Sequence, residues 1–264
     1  MIPKIIHYCW FGRKQLPEHA KKCISSWKIF FPEYEIKEWN ETNFNINKIP
    51  YISEAYNEMK FAFVSDYARF DILYQYGGIY FDTDVEVIKS FDTIIKNGGF
   101  MGFEDINKIN SGLGMGCCNG LDIILQILDY YKSIHFINKD GSYNLHTVVE
   151  YVTNILKMNG LKYNNSLQCF NGITIYPIEY FAPKSPVTGE LNITKNTHSI
   201  HYYDGSWVPE NEKTYYAIKR KLCKVFGSKL GMIISFPIFI IININNHGIK
   251  NGIKQVQNKI NKTF

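Results

Sequence analysis

Two aspartates separated by one residue are the feature of this sequence that most clearly suggests chemistry. Asp82 and Asp84 follow the apolar run Ile79-Tyr80-Phe81, which has the composition of a short strand. Hard divalent cations prefer oxygen ligands, and they are typically held by one or two carboxylates together with substrate phosphates. The spacing therefore predicts a site for a divalent cation and a diphosphate where this strand ends.

A second pair of charged residues lies just upstream. Asp66 and Arg69 are three positions apart in the run S-D-Y-A-R-F-D-I-L-Y-Q-Y, which has helical periodicity and stops at Gly77-Gly78. Residues three apart share a face of a helix, so we expect the two side chains to lie side by side. Glycine supplies the left-handed residue that commonly ends a helix. The sequence thus predicts a helix, a glycine stop and a strand that leads into the two aspartates.

An aromatic residue and two histidines could complete such a site. Trp10 ends the apolar stretch of residues 2–12, which is typical of a buried parallel strand. Ligands bind at the carboxyl ends of strands in open α/β sheets, so Trp10 could stack on a planar base, and it could equally be a core residue. His198 and His201 lie in the late stretch T-K-N-T-H-S-I-H-Y-Y-D-G-S-W. Each could be a ligand or a satisfied core group.

The elements that position these residues follow the order of a nucleotide-binding α/β sheet. Strands are predicted at residues 2–12, 34–39 and 79–81, with helices at 17–31 and from about 53 to 59. Further strands are predicted at 85–88, 100–104, 170–177 and 179–181, and further helices at 92–96, 121–131 and 148–158. The glycine-rich run at 110–116 matches no phosphate-binding fingerprint. It would let the backbone approach either a ligand or another strand.

Composition limits the class of protein. The 264 residues suit one large domain or a domain with a small appendage. The net charge of +5 is too small to indicate a nucleic-acid partner. The six cysteines have no zinc-site spacing, and no secretory signal is evident, so we expect reduced thiols and a cytoplasmic location.

The last part of the chain changes character. Residues 213–224 form a predicted basic helix, and residues 230–246 contain no charged side chain. That apolar run is shorter than the roughly 20 residues of a spanning helix, and Pro237 and several asparagines interrupt it. It could be an interfacial membrane anchor or an element that packs in the core.

Three motifs, taken together, resemble glycosyltransferase family 32. They are I-P-K-I-I-H-Y-C-W-F-G at residues 2–12, S-D-Y-A-R-x-x-I-L-Y-x-x-G-G-I-Y-x-D-x-D at 65–84, and I-H-Y-Y-D-G-S-W at 200–207. The chain is also similar to the catalytic domain of the large clostridial glucosylating toxins. The resemblance implies a GT-A type, single Rossmann-like nucleotide-sugar-binding domain with a mostly parallel central sheet, which we place at residues 1–210. Residues 211–264 would be a helical C-terminal extension outside it.

The resemblance also implies roles for individual residues. Asp66, Arg69, Asp82 and Asp84 would form the catalytic set. The donor would be bound by Trp10, Asp66, Arg69, Tyr80, Asp82, Ser206 and Trp207. Asp82, Asp84 and His201 would hold Mn²⁺ or Mg²⁺, with Asp84 as the direct ligand, Asp82 in a water-mediated or ribose contact, and His201 completing the shell.

The function implied is a metal-dependent, retaining transfer of a sugar from a nucleoside-diphosphate sugar, with uridine expected over guanosine. The acceptor would be a glycan or a lipid-linked glycan in capsule-type surface polysaccharide synthesis, at the inner face of the cytoplasmic membrane. In the front-face mechanism the leaving phosphate helps to deprotonate the acceptor, so no general base is assigned.

Three alternative functions fit the sequence less well. A phosphatase of the haloacid dehalogenase type needs Thr or Val two places after the second aspartate, where this chain has Glu86. A non-catalytic nucleotide-sugar or carbohydrate-binding protein would be expected to lack the diaspartate or Arg69, and both are present. A surface ion pair of Asp66 with Arg69 would leave the other polar residues unexplained.

Overall fold

A computed structural model provides the structure of the protein and describes residues 1–205, 210–242 and 244. The chain divides into two compact units. The first contains Met1–Pro183 and Asn192–Tyr202, and the second contains Lys184–Leu191 and the described residues after Tyr202. The predicted domain boundary between residues 210 and 211 stays a prediction.

The first unit begins with the predicted alternation of strands and helices. Up to the diaspartate its elements are β1 (Ile5–Cys9), α1 (Glu18–Phe30), β2 (Glu35–Trp39), α2 (Pro50–Asn57), α3 (Phe61–Tyr76) and β3 (Gly78–Tyr80). β1 is the parallel partner of both β2 and β3, and four of its five residues are buried, as its apolar sequence predicts. Helix α1 covers this region and buries Cys23 and Trp27, which are four residues apart on one face.

The central sheet is mixed, with most of its strands in one direction. The remaining elements are β4 (Val85–Val87), α4 (Asp92–Lys96), β5 (Gly99–Asp105), β6 (Lys108–Asn110), β7 (Met115–Cys117), α5 (Asp122–Lys132), α6 (Val148–Met158), β8 (Gln168–Phe170), β9 (Ile173–Tyr176), α7 (Ile178–Phe181) and β10 (Ser199–His201). The strand order is β2-β1-β3-β7-β5-β9-β8, with β6 paired to β5. β7 is antiparallel to β3 and β5, so β1, β2, β3, β5 and β9 share one direction. The predicted α/β class with a mostly parallel central sheet is confirmed.

A small two-stranded sheet fixes the chain directly after the diaspartate. β4 pairs antiparallel with β10, and His201 lies opposite Val85. On the other side, α1 donates a hydrogen bond from Trp27 Nε1 to the Val85 carbonyl (2.7 Å) and accepts one from Val87 N at Ser26 Oγ (2.9 Å). The backbone that carries Asp84 is therefore held from two sides.

Two predicted elements differ in the structure. The predicted strand at 170–177 is a hairpin of β8 and β9, because Asn171 and Gly172 both adopt positive φ (51° and 76°) and form its two-residue turn. The predicted strand at 179–181 is wrong. It is the helix α7, which follows Pro177 and buries Phe181 against Phe91 (ring centroids 5.4 Å apart).

The described part of the second unit is largely helical. α8 (Glu210–Phe226) contains the predicted basic helix, and a further helix occupies residues 228–242. The rings of Tyr215 and Phe239 lie 5.2 Å apart, so the two helices pack on each other. Among the described helices, none combines the length and the apolar character needed to cross a bilayer.

Candidate active site

Helix α3 presents a buried ion pair. Arg69 Nη2 lies 2.7 Å from Asp66 Oδ1, and Arg69 Nε donates to the Ser65 carbonyl at 3.1 Å. Both charged side chains are buried. The adjacent placement predicted from their spacing is thus what the structure shows, and it belongs to the interior rather than the surface.

The glycine stop turns the chain back beside that pair. Gly77 and Gly78 have φ of 63° and 102°, and a Cβ on Gly78 would lie 2.6 Å from the Ile5 carbonyl oxygen. Only glycine fits such a close, left-handed approach. The return brings Asp82 Oδ1 to 3.3 Å from Arg69 Nη2.

Tyr80 completes the contact between α3 and the diaspartate. Its hydroxyl donates to Asp82 Oδ1 at 3.0 Å, and the Arg69 guanidinium lies over its ring, 4.9 Å from the centroid. The guanidinium is held by one aromatic face and two carboxylates, so its orientation is fixed before any ligand arrives.

Asp82, Asp84 and His201 form a cluster that could hold a cation. One ligand atom from each residue lies within 4.8 Å of the others, and His201 Nε2 is 3.0 Å from Asp84 Oδ1 and 4.0 Å from Asp82 Oδ2. The pairing of β4 with β10 brings His201 to this place from more than one hundred residues away. Two carboxylates with one imidazole fit Mn²⁺ or Mg²⁺ better than a thiolate-preferring metal.

The electrostatics of the site favour a bound cation. Burial raises the pKa of Asp66 to about 7, with Arg69 opposing and Asp82 adding to the shift. Burial lowers the pKa of His201, but the carboxylates of Asp84, Asp82 and Glu104 together raise it above its ordinary value. Arg69 contacts Asp66 and Asp82, and Asp84 adds a third carboxylate to the site, so a divalent cation would offset the remaining negative charge.

The glycine-rich run at 110–116 also reaches the site. Asp82 N donates to the Gly112 carbonyl (3.1 Å), Arg69 Nη1 lies 3.4 Å from Ser111 Oγ, and a Cβ on Gly112 would overlap the Asp82 carboxylate. The turn is set by Asn110, whose Oδ1 accepts from Gly112 N (2.7 Å). The sequence of this run allows a close approach to either a ligand or another strand. Its Asn-Ser-Gly order, a side-chain cap before a tight turn, was the available signal.

His7 was missed as a residue that positions the site. Trp39 Nε1 can only donate, so the bond at 3.1 Å makes His7 Nδ1 the acceptor and leaves Nε2–H to donate to the Gly77 carbonyl at 2.9 Å. Burial lowers the pKa of His7 to about 4, partly offset by the bond to Gly77. A neutral histidine thus fixes the end of α3 to the central strand.

The other predicted residues have different outcomes. Trp10 lies at the carboxyl end of β1, as predicted. Its Nε1 donates to the Lys14 carbonyl at 2.6 Å, and its role in stacking on a base stays a prediction. His198 does not join the cluster: its Nδ1 is 2.6 Å from the Ser90 carbonyl and its ring stacks on Tyr180. Ser206 and Trp207 lie outside the described residues.

Comparisons with known proteins find similarity to glycosyltransferases. Residues 17–101 match the family described as "Glycosyltransferase sugar-binding region containing DXD motif". Inositol phosphoceramide mannosyltransferase 3 of Schizosaccharomyces pombe is 29% identical over 135 residues, which are 48% of this chain and 36% of the relative. An uncharacterised glycosyltransferase of Acanthamoeba polyphaga mimivirus is 25% identical over 258 residues, 91% of this chain and 92% of the relative. The chain therefore spans about a third of the yeast protein's length and nearly all of the viral one's.

Solved structures of other proteins are also similar to this chain. One is described as PaToxG glycosyltransferase, with a TM-score of 0.49 and 20% identity over 60% of this chain and 69% of that chain.

Proposed function

We propose that this protein is a metal-dependent glycosyltransferase that uses a nucleoside-diphosphate sugar. The proposal starts from the match of residues 17–101 to the DXD-containing sugar-binding region of glycosyltransferases. The observation that carries the proposal is the convergence of Asp82, Asp84 and His201 beside the buried Arg69–Asp66 pair. A diphosphate leaving group needs its developing charge neutralised, and a divalent cation held by these ligands, together with Arg69, would place positive charge there.

The chain's own residues would divide the work. Asp82, Asp84 and His201 would hold Mn²⁺ or Mg²⁺, which supplies Lewis-acid stabilisation of the diphosphate when bound. Arg69 would donate to a phosphate or to the sugar, and Asp66 with the Ser65 carbonyl holds its guanidinium in that orientation. Tyr80 keeps Asp82 turned towards Arg69. Trp10 would stack on the base, and Ser206 and Trp207 would contact the diphosphate.

The finer assignments rest on the resemblance of the motifs. We infer a UDP-linked donor, retention of anomeric configuration, and a glycan or lipid-linked acceptor in surface polysaccharide synthesis on the cytoplasmic side of a membrane. A yeast relative is named as an inositol phosphoceramide mannosyltransferase, so a GDP-mannose donor and a lipid acceptor are the other combination to test.

A donor screen tests the proposal. The full-length protein is incubated with UDP- and GDP-sugars in the presence of Mn²⁺ or EDTA, and the free nucleoside diphosphate is measured. We expect release from one donor that depends on the metal. Metal-dependent binding of a donor without any release, with or without acceptor glycans, would favour the non-catalytic binding protein, and no binding of any donor would contradict both.

Two aspartates on α3 provide a matched pair of variants. Asp66 pairs with Arg69 in the site, whereas Asp71 is also buried but pairs with Lys48 (2.6 Å). Asp66→Asn should reduce nucleotide release at least about a hundredfold, the size of effect seen when one fixed electrostatic group is lost. Asp71→Asn should lower the melting temperature and leave turnover per folded molecule unchanged. Equal losses of turnover in both variants would remove Asp66 from the site.

A further inference from the structure

The two C-terminal helices form a hairpin that turns at Gly227. Gly227 has a φ of 79°, which suits a glycine that ends α8. A Cβ on Gly231 would overlap the backbone of Cys223, and Tyr215 contacts Phe239, so both pairs are centred on Gly227. α8 and the helix of residues 228–242 are therefore antiparallel neighbours.

The half of the hairpin away from the turn is filled by its own apolar residues. Tyr215 and Phe239 are buried there, and the partly buried residues packed on them are Tyr216, Phe236, Ile238, Ile240 and Ile242. Much of the apolar run at 230–246, for which the sequence left membrane contact and internal packing open, is used in this packing. Those side chains are not the ones offered to a partner.

The other half, which we call the hairpin tip (residues 221–234), exposes large apolar side chains on both sides of the turn. They are between 39% and 73% exposed and comprise Val225, Phe226, Leu230, Ile233 and Ile234. Single exposed apolar residues are ordinary, but five within the ten residues 225–234 indicate an interaction surface.

The charge around the tip identifies the kind of partner. Lys221, Lys224 and Lys229 are exposed among the apolar residues. Residues 213–264 contain ten lysines and arginines and no aspartate or glutamate, whereas residues 1–212 contain 19 basic and 24 acidic residues. The positive charge of the protein is thus concentrated in the segment that carries the apolar tip.

We propose that the hairpin tip inserts shallowly into the surface of a bilayer that contains anionic phospholipid. Apolar side chains would enter the headgroup boundary, while the lysines, with their long apolar stems, reach back to the phosphates. A nucleic acid would be matched by the lysines alone and would leave Phe226, Leu230 and Ile233 in water. The hairpin lies on the membrane and does not cross it. The proposal is independent of the sugar-transfer reaction.

Vesicle binding tests the proposal with the full-length protein. Co-sedimentation is measured with phosphatidylcholine vesicles, with and without phosphatidylglycerol, at low and high salt. We expect binding to the anionic vesicles, at least tenfold weaker binding to the neutral ones, and loss of binding at high salt. Binding that is equal for the two vesicle types, or absent from both, overturns the proposal.

Matched variants separate insertion from simple charge attraction. Phe226→Ser with Ile233→Ser should reduce binding to anionic vesicles at least tenfold, whereas Ile29→Ser with Met158→Ser, two exposed apolar residues outside the tip, should not. Nucleotide release from the donor in solution should be the same in the wild type and both double variants, so a failed membrane experiment is distinct from a failed transferase. Normal vesicle binding by the tip variant overturns insertion. Insertion is also overturned if the wild type binds no vesicles but forms a dimer that the tip variant abolishes.

A direct readout of depth completes the test. The sequence contains four tryptophans, so the fluorescence that Phe226→Trp adds is measured against the wild type. This added fluorescence should be quenched by phospholipids brominated in the upper acyl chain. Vesicle binding without quenching would mean that the tip attracts anionic surfaces, including nucleic acid, by charge alone, which contradicts insertion.

Discussion

Arg69 is the residue on which the charges of the candidate site converge. Its guanidinium contacts Asp66 and Asp82 and lies over the ring of Tyr80, while its Nε is bound by the Ser65 carbonyl. A planar fork can satisfy all of these directions at once, and the compact ammonium of lysine cannot. The Asp66–Arg69 pair was predictable because both residues lie on one helix. The stack on Tyr80 was not, because it depends on how α3 and β3 fold back on each other.

The position of Gly112 against Asp82 can be tested by a single substitution. Gly112→Ala should displace the Asp82 carboxylate, because the added methyl group would overlap it. We expect nucleotide release to fall at least about tenfold, as expected when a catalytic group moves by roughly an ångström. Initial rates with the active donor measure this.

The control for that variant is Gly160→Ala. Gly160 also has a positive φ (104°), but a Cβ there meets no atom within 4 Å. It should lower the melting temperature through backbone strain alone and leave the rate unchanged. A Gly112→Ala protein with the wild-type rate would show that the turn at 110–112 does not shape the site.

At the scale of elements, the helix–glycine–strand unit from α3 to β3 was predicted because every signal in it is local. Helical spacing, two glycines and an apolar run follow one another within twenty-odd residues. The antiparallel direction of β7 was not predictable in the same way, because the alternation of side chains does not encode the direction of a strand. The turn at Ser111–Leu113 exists because β5, β6 and β7 bring its ends together. The run Glu179–Phe181 is too short for its period to distinguish a strand from a helix.

His7 predicts a pH dependence of stability. It is neutral in the folded protein, with a pKa lowered from 6.5 to about 4, and Lys37 is the charged neighbour that acts on it. As the pH falls from 6.5 towards 4, the unfolded chain takes up a proton that the folded one does not, so the stability that is present above 6.5 is lost. The slope is about 1.4 kcal/mol per pH unit, or about 3 kcal/mol over the window.

Denaturant unfolding at several pH values checks this. His7→Gln should be less stable than the wild type at neutral pH and should lose about one proton's worth of the slope between pH 6.5 and 4. An unchanged slope in His7→Gln would mean that another group controls the acid sensitivity.

At the scale of the whole molecule, the candidate metal cluster joins distant parts of the chain. Asp82 and Asp84 come from the end of β3, and His201 comes from β10. The sequence could suggest the two aspartates as ligands from their spacing. His201 could be assigned only through the resemblance, because no local pattern shows that β10 pairs with β4.

A cation that binds all three ligands should stabilise the fold. Saturation at a hundred times the dissociation constant adds about 2.7 kcal/mol, which corresponds to a rise of several degrees in melting temperature. Differential scanning fluorimetry in Mn²⁺, Mg²⁺ and EDTA measures it. Asp84→Asn and His201→Ala should each lose most of the rise, whereas Glu58→Gln, at a half-buried acid that accepts from the Tyr143 hydroxyl and lies outside the cluster, should keep it. A rise of the same size in all four proteins would place the cation elsewhere.

The segment Lys184–Leu191 is an excursion of the chain out of the first unit, and its length can change independently of the position of His201. It leaves the first unit after Pro183, and the chain re-enters at Asn192, whose N–H donates to the Pro183 carbonyl at 2.9 Å. The ends are thus tied together, and β10 is independently held in register with β4. Residues can be inserted in or removed from the excursion during evolution without moving His201. Segments of different length can therefore arise here, generation after generation, while β10 keeps His201 beside the two aspartates.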